Sequence, residues 1–84
     1  MTYLGYILHS LTDGSYYLGQ TRDLPHRVHE HNCGRVSSTR RGMPWELVYW
    51  REFPNRSEAV KWERMLKARK SRAYIEALLS EQAL

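Results

Sequence analysis

The sequence predicts an α+β domain whose elements run β-β-α-β-α-α. Three observations predict it. Two short runs rich in aromatic and aliphatic side chains, residues 3–9 and 15–19, flank Asp13-Gly14. That dipeptide suits the positive backbone angles of a tight turn, so the pair reads as a β-hairpin. A third β-type run, residues 45–53, follows a helical stretch and a polar one. Helix-start signals stand at Asp23 and Asn55, and helical spacing recurs after Ser71.

Closing the hairpin on Thr12 and Ser15 as a facing pair sets Ser10 opposite Tyr17, Leu8 opposite Gly19 and Tyr6 opposite Thr21. Alternation then places Tyr6 and Tyr17 on one face, with Gly19 diagonal to Tyr6 and leaving space beside its hydroxyl. Asp23 caps a helix that tolerates Pro25 in its first turn and runs to Asn32, with Gly34 ending it. The apolar stripe of this helix is thin: Leu24 and Val28 define it, and Arg27 and His31 fall directly on it.

Residues 35–44 are polar and basic, show neither period and are expected to form a surface loop. Residues 45–53 supply the third strand of an antiparallel sheet. Asn55, with Glu58 three positions later, has the pattern of a capping box opening a helix to about Lys67. Ala59, Trp62 and Leu66 mark its apolar face, and Glu63 sits inside the same arc. Ile75, Leu78 and Leu79 give residues 71–79 helical spacing, and this last helix is expected to pack back on the sheet. The 84 residues suffice for one core and not two, so residues 1–80 form a single domain and 81–84 are expected to fray.

With 42% apolar residues, burial must concentrate in side chains such as Trp45, Tyr49, Trp50 and Trp62. Little room remains for a deep pocket, which favours a shallow site open to a large substrate. Thirteen Lys and Arg against nine Asp and Glu give a formal charge of +4, a balance that suits a polyanionic partner. The single cysteine, Cys33, excludes an intrachain disulfide and fits the reducing cytoplasm. No apolar run approaches the roughly 20 residues a spanning helix needs, and no membrane partner is expected.

Two helices thus carry charged residues on inward faces. Burying Arg27, His31 and Glu63 unpartnered would be costly, so they must meet each other, the tyrosine hydroxyls or a ligand. Each residue alone has an ordinary reading: core tyrosines, an Arg27–Glu63 ion pair turned outward, a histidine that only caps its helix. As a set they suit phosphodiester cleavage, which needs an activated water, a base, a cation for the developing charge and a metal at the leaving oxygen. Spacing turns all five, Tyr6, Tyr17, Arg27, His31 and Glu63, toward the same sheet face.

Gly5-Tyr6-Ile7, Tyr17-Leu18-Gly19, Arg27 followed by His31, and the segment 58–67 resemble the ordered motifs of the GIY-YIG nucleases. Tyr6-Ile7-Leu8, Asp13-Gly14-Ser15, Tyr17 through Thr21, Asp23-Leu24, His31-Asn32, Trp45 through Tyr49 and Ser57-Glu58-Ala59 more narrowly resemble the small stand-alone bacterial GIY-YIG proteins. The resemblance implies a three-stranded antiparallel sheet flanked by helices. It also implies roles. Tyr6 would be the base toward the attacking water, or would position it, and Tyr17 would orient the same water network. Arg27 would stabilise phosphate charge through its forked donors. His31 would accept or relay the Tyr6 proton, since free phenol has a pKa of about 10. Glu63 would be the direct protein ligand to Mg²⁺, with Mn²⁺ as an alternative ion and no small-molecule cofactor.

The sequence departs from the pattern in three places, one of them the mild change of isoleucine to Leu18 in the second motif. Leu4-Gly5-Tyr6 stands where the first motif's three letters fall, and no asparagine follows Glu63, where many members carry one. His26, His29, His31 and Cys33 include zinc-type donors, but on one helix they point in several directions. Arg35, Thr39, Arg40, Arg41, Lys61, Lys67 and Lys70, with Arg69 and Arg72, are candidates for backbone phosphate contacts, which carry affinity without reading sequence. The resulting expectation is a Mg²⁺-dependent endonuclease or nickase acting on DNA, in repair or on branched or single-stranded forms, with a protein partner supplying specificity. The alternative is a nucleic-acid-binding module that keeps the fold and cuts weakly or not at all.

Overall fold

The turn between the first two strands is wider than Asp13-Gly14 alone suggests, because Ser10 organises it. Its amide donates to Ser15 O at 2.8 Å and its carbonyl accepts from Gly14 N at 3.1 Å. The Ser10 hydroxyl accepts from Thr12 N and Asp13 N, and Asp13 Oδ1 accepts from both N and Oγ of Ser15. Residues 11–15 therefore form the loop, and the register moves by two from the one expected. Tyr6 faces Gly19, Leu8 faces Tyr17 and Leu4 faces Thr21. A shift of two keeps every side chain on its expected face. It also brings Gly19 directly opposite Tyr6 rather than diagonal to it.

The computed structural model describes residues 2–69 and 71–82 of the chain. The elements are β1 (Tyr3–Ser10), β2 (Tyr16–Thr21), α1 (Leu24–Asn32), a 3₁₀ segment (Ser37–Gly42), β3 (Trp45–Phe53), α2 (Arg56–Arg69) and α3 (Arg72–Gln82). Two boundaries correct the sequence reading. Part of the expected surface loop is a 3₁₀ turn, and α3 runs to Gln82, two residues into the stretch expected to fray. Ala83 and Leu84 lie outside the described residues.

The three strands form one antiparallel sheet in the order β2-β1-β3. Between the Ile7–Tyr49 and Leu8–Leu47 pairs the ladder slips by one residue, leaving Val48 as the extra residue of a bulge. Alternation along β1 separates two cores. Ile7, with Leu18 and Phe53, packs against Ala59, Trp62 and Leu66 of α2, and Tyr74, Ile75 and Leu78 of α3 close that side. Tyr6 and Leu8 face the other way, onto Leu24 and Trp45, with Val28 and Tyr17 at the margin.

Helix α1 therefore covers one face, while α2 and α3 cover the opposite one. Capping at Asp23 and Asn55 is as the sequence indicates, and Ser71 adds a third cap: Asp23 Oδ1 accepts from His26 N, Asn55 Oδ1 from Glu58 N and Ser71 Oγ from Tyr74 N.

Gly5 lets α2 approach the central strand, since a Cβ there would lie 2.6 Å from the Trp62 ring and 3.0 Å from Phe53. Both rings are buried and have nowhere to move. Gly5→Ala should therefore destabilise the domain by about 1–3 kcal/mol, the usual cost of overpacking a filled core. Urea unfolding followed by tryptophan fluorescence would measure it; a midpoint equal to that of the wild type would contradict this packing.

Candidate active site at the Tyr6–His31 contact

The Tyr6 hydroxyl lies 3.1 Å from His31 Nε2, joining the central strand to the last turn of α1. Gly19 makes room for it: a Cβ at that position would stand 2.6 Å from the Tyr6 oxygen. The other imidazole nitrogen, Nδ1, lies 2.8 Å from Thr39 Oγ1. Tyr6, His31 and Thr39 are each at most 1% exposed. His31 is thus a buried bridge and not merely a helix cap.

Tyr17 flanks this pair, its ring centroid 4.8 Å from that of His31 and 6.4 Å from that of Tyr6. Arg27, one turn before His31, brings its guanidinium beside the Tyr6 hydroxyl while Nη1 holds Glu30 Oε1 at 3.2 Å. Tyr17 and Arg27 are partly exposed and form the rim, above the buried Tyr6 and His31.

Glu63 corrects the expectation that all five residues share one sheet face. It belongs to α2, which packs on the opposite face from α1. Its charge still contributes to raising the Tyr6 value, after burial and Tyr17. The expected alternative of an Arg27–Glu63 ion pair is also replaced. Glu63 Oε2 is held by Lys67 Nζ at 2.6 Å, one turn along α2, and its side chain is 21% exposed.

Burial pushes the Tyr6 phenol up to about 12, with Tyr17 and Glu63 adding to the rise and Arg27 opposing it. Tyr6 is therefore a neutral phenol in the free chain. Burial, reinforced by the Arg27 charge, holds His31 below its ordinary value, so the imidazole is neutral at neutral pH. Arg27 is held more firmly protonated by the Tyr6 hydroxyl and by Glu30. The pair thus sits poised as phenol and free base.

Among the residues expected to touch phosphates, Thr39 is a correction. Its hydroxyl is buried between His31 and the Val36 carbonyl and cannot meet a ligand from outside. The cause is the 3₁₀ turn, whose period hides a residue in a stretch that looks uniformly polar. Arg35 and Arg41 are exposed, Arg40 donates to Gly34 O, and Lys61 lies 3.8 Å from Glu58. Arg69 lies over the Tyr74 ring, and Arg72 over the Tyr16 ring while donating to Gly14 O. Lys70 lies outside the described residues. Among the described residues, no group of three or more His, Cys, Asp or Glu could hold a metal ion, which removes the zinc cluster on α1. No helix among them is long and apolar enough to cross a membrane.

A three-stranded sheet with a tyrosine pair on one face, met by an arginine and a histidine from the first helix, defines a class of small α+β domain. Comparison with known proteins identifies the class. The family model of the GIY-YIG catalytic domain matches residues 2–75, and the chain belongs to that family. It is 43% identical to a UPF0213 protein of Streptococcus pneumoniae over 70 residues, 82% of this chain and 70% of that one. It is 41% identical over 58 residues to the structure-specific endonuclease subunit slx1 of Schizosaccharomyces pombe, 62% of this chain but 21% of that protein. The solution NMR structure of the UPF0213 protein BH0048 from Bacillus halodurans superposes with a TM-score of 0.59 at 38% identity, covering 95% of this chain and 84% of that one.

Lowering of the His31 value sets the sign of a pH effect. An unfolded chain takes up a proton on His31 near pH 6.5, while the folded chain resists it to lower pH. This contribution to stability is complete above about pH 6.5 and is lost as the pH falls toward the folded value. Imidazole NMR titration should place His31 below 6.5, and urea midpoints should fall between pH 7.5 and pH 5. A His31 value at or above 6.5 would contradict its burial as a neutral ring.

Proposed function

We propose that this chain is a metal-dependent endonuclease or nickase that hydrolyses phosphodiester bonds in DNA. The Tyr6–His31 contact carries the reading: a phenol 3.1 Å from an imidazole kept neutral by burial, with an arginine beside both. Membership of a family described as a catalytic domain supports it.

In this reading Tyr6 and His31 work as a relay. A proton from the attacking water passes to the Tyr6 oxygen as the Tyr6 proton passes to His31 Nε2. The oxygen of that water bonds to phosphorus, the bond to the leaving oxygen breaks, and that oxygen takes a proton from solvent while His31 later returns its own proton to solvent. The phenol never has to ionise on its own, which its value near 12 would resist. Arg27 turns from the Tyr6 hydroxyl onto the phosphate, where its fork matches two oxygens, and in doing so opens that hydroxyl to the water. Tyr17, at the rim, orients the water and walls His31 from solvent.

Glu63 is a single hard oxygen donor at a partly exposed position, a donor set that fits Mg²⁺ or Mn²⁺ completed by water and phosphate oxygens, and not zinc. A bound ion there would supply charge stabilisation at the phosphate. Lys67, released from Glu63, becomes free to meet the DNA backbone together with Arg35 and Arg41. Among the described residues no helix stands clear of the sheet as a separate reader of bases, and slx1 is described as structure-specific. Both favour recognition of DNA by its structure, in branched or single-stranded forms such as repair produces, with a partner protein adding targeting.

Purified protein incubated with supercoiled, branched and single-stranded DNA should cut in the presence of Mg²⁺ or Mn²⁺ and stop on chelation. Tyr6→Phe, Arg27→Ala and Glu63→Gln should each lower kcat by about 10²-fold or more. Equal cutting by Glu63→Gln and wild type would remove Glu63 from the site. Salt-dependent binding with no cleavage under either metal would leave a binding module in place of the enzyme.

A further inference from the structure

We infer that Thr39 is a positioning residue that fixes His31 as the Nδ1–H tautomer, leaving the Nε2 lone pair facing the Tyr6 hydroxyl. The inference deepens the proposed function and rests on its Tyr6–His31 relay. It starts from hydrogen-bond capacity. Thr39 Oγ1 has two neighbours, His31 Nδ1 at 2.8 Å and Val36 O at 3.2 Å. A carbonyl only accepts, so the single hydroxyl proton of Thr39 goes to Val36. With the hydroxyl proton on Val36 O, the contact with His31 is donated by Nδ1–H. A neutral ring has one such proton, and His31 is held neutral by burial.

The far end of the chain demands the same sense. Tyr6 lies beside the Arg27 guanidinium, which can only donate, so the phenol proton needs an acceptor, and His31 Nε2 stands 3.1 Å away. With the opposite tautomer Nε2 would donate to the phenol oxygen and the Tyr6 proton would lose this acceptor. The bonds therefore run from Tyr6 O–H to Nε2, from Nδ1–H to Thr39, and from Thr39 to Val36 O.

Thr39 is held in place independently of His31. Its carbonyl accepts from Trp45 Nε1 at 2.8 Å, its amide donates to Val36 O at 3.1 Å, and Gly42 at the end of the same turn packs on the Trp45 ring. The hydroxyl is thus presented to the imidazole by the fold and does not follow it.

Long-range ¹⁵N–¹H NMR of the imidazole in the full chain tests the tautomer directly, whether or not the protein cuts DNA. The wild type should show His31 protonated at Nδ1 with Nε2 unprotonated. Thr39→Val, close in shape but without the acceptor, should shift the ring toward the Nε2–H form, and Thr39→Ser should restore the wild-type pattern. In the cleavage assay Thr39→Val should lower kcat roughly 10- to 100-fold with KM little changed, the size of loss seen when the group orienting a functional imidazole is removed. Thr39→Ala serves where the valine variant does not fold. An Nε2–H ring in the wild type, or an Nδ1–H ring retained in a folded Thr39→Val or Thr39→Ala, overturns the inference. Absence of cleavage by wild type overturns the nuclease reading instead and leaves the tautomer to be decided by NMR.

Discussion

Trp45 is the tie on which the site depends. Its amide donates to Asn32 Oδ1 at 2.6 Å and its carbonyl accepts from Asn32 Nδ2 at 3.0 Å, so one side-chain amide pins the end of α1 to the start of β3. Its indole N–H holds the Thr39 carbonyl, and its ring lies against Gly42. Ser10, beside Trp45 in the ladder, binds the Gly42 carbonyl at 2.7 Å. Helix, 3₁₀ turn and sheet are thereby locked at one corner, and His31 and Thr39 must meet there. In a domain this small, where apolar burial is limited, such a buried polar network specifies geometry that packing alone would leave loose.

The residues of the proposed site come from both sides of the sheet. Tyr6, Tyr17, Arg27 and His31 come from the face under α1, whereas Glu63 comes from the helix on the other face. An arrangement spread round a thin sheet needs no deep cavity, which is how a chain of 84 residues can house it. The same thinness separates functions by depth. Tyr6 and His31 are shielded, so their protonation is set by burial and by each other, while Arg27, Tyr17 and Glu63 remain at the surface, where a polyanion would arrive.

Several features of this arrangement were legible from residues alone because they rest on local chemistry. Asp23 and Asn55 cap their helices through side chains that accept from the amide three positions on, and alternation puts Tyr6 and Tyr17 on one face in the expected register and in the observed one, which differ by two residues. Inward charged positions on thin apolar stripes, Arg27 and His31, marked the first helix as unusual. Helical spacing also showed Glu63 within the inward arc of its helix, but spacing cannot say which side of a sheet a helix will cover.

By itself, then, the sequence determined the order of elements, their caps, the faces of the hairpin and the family, all properties of near neighbours along the chain or of an ordered motif series. Only the tertiary structure decided the hairpin register, the side of the sheet that carries Glu63 and the burial of Thr39. The register turned on Ser10 binding four groups of the turn at once, and Thr39 on a 3₁₀ turn whose burial comes from Trp45 and His31. Those contacts join residues brought together by packing, and neither composition nor period records them. The physical reason is that a hydroxyl in a polar run looks the same in sequence whether it faces water or a buried imidazole.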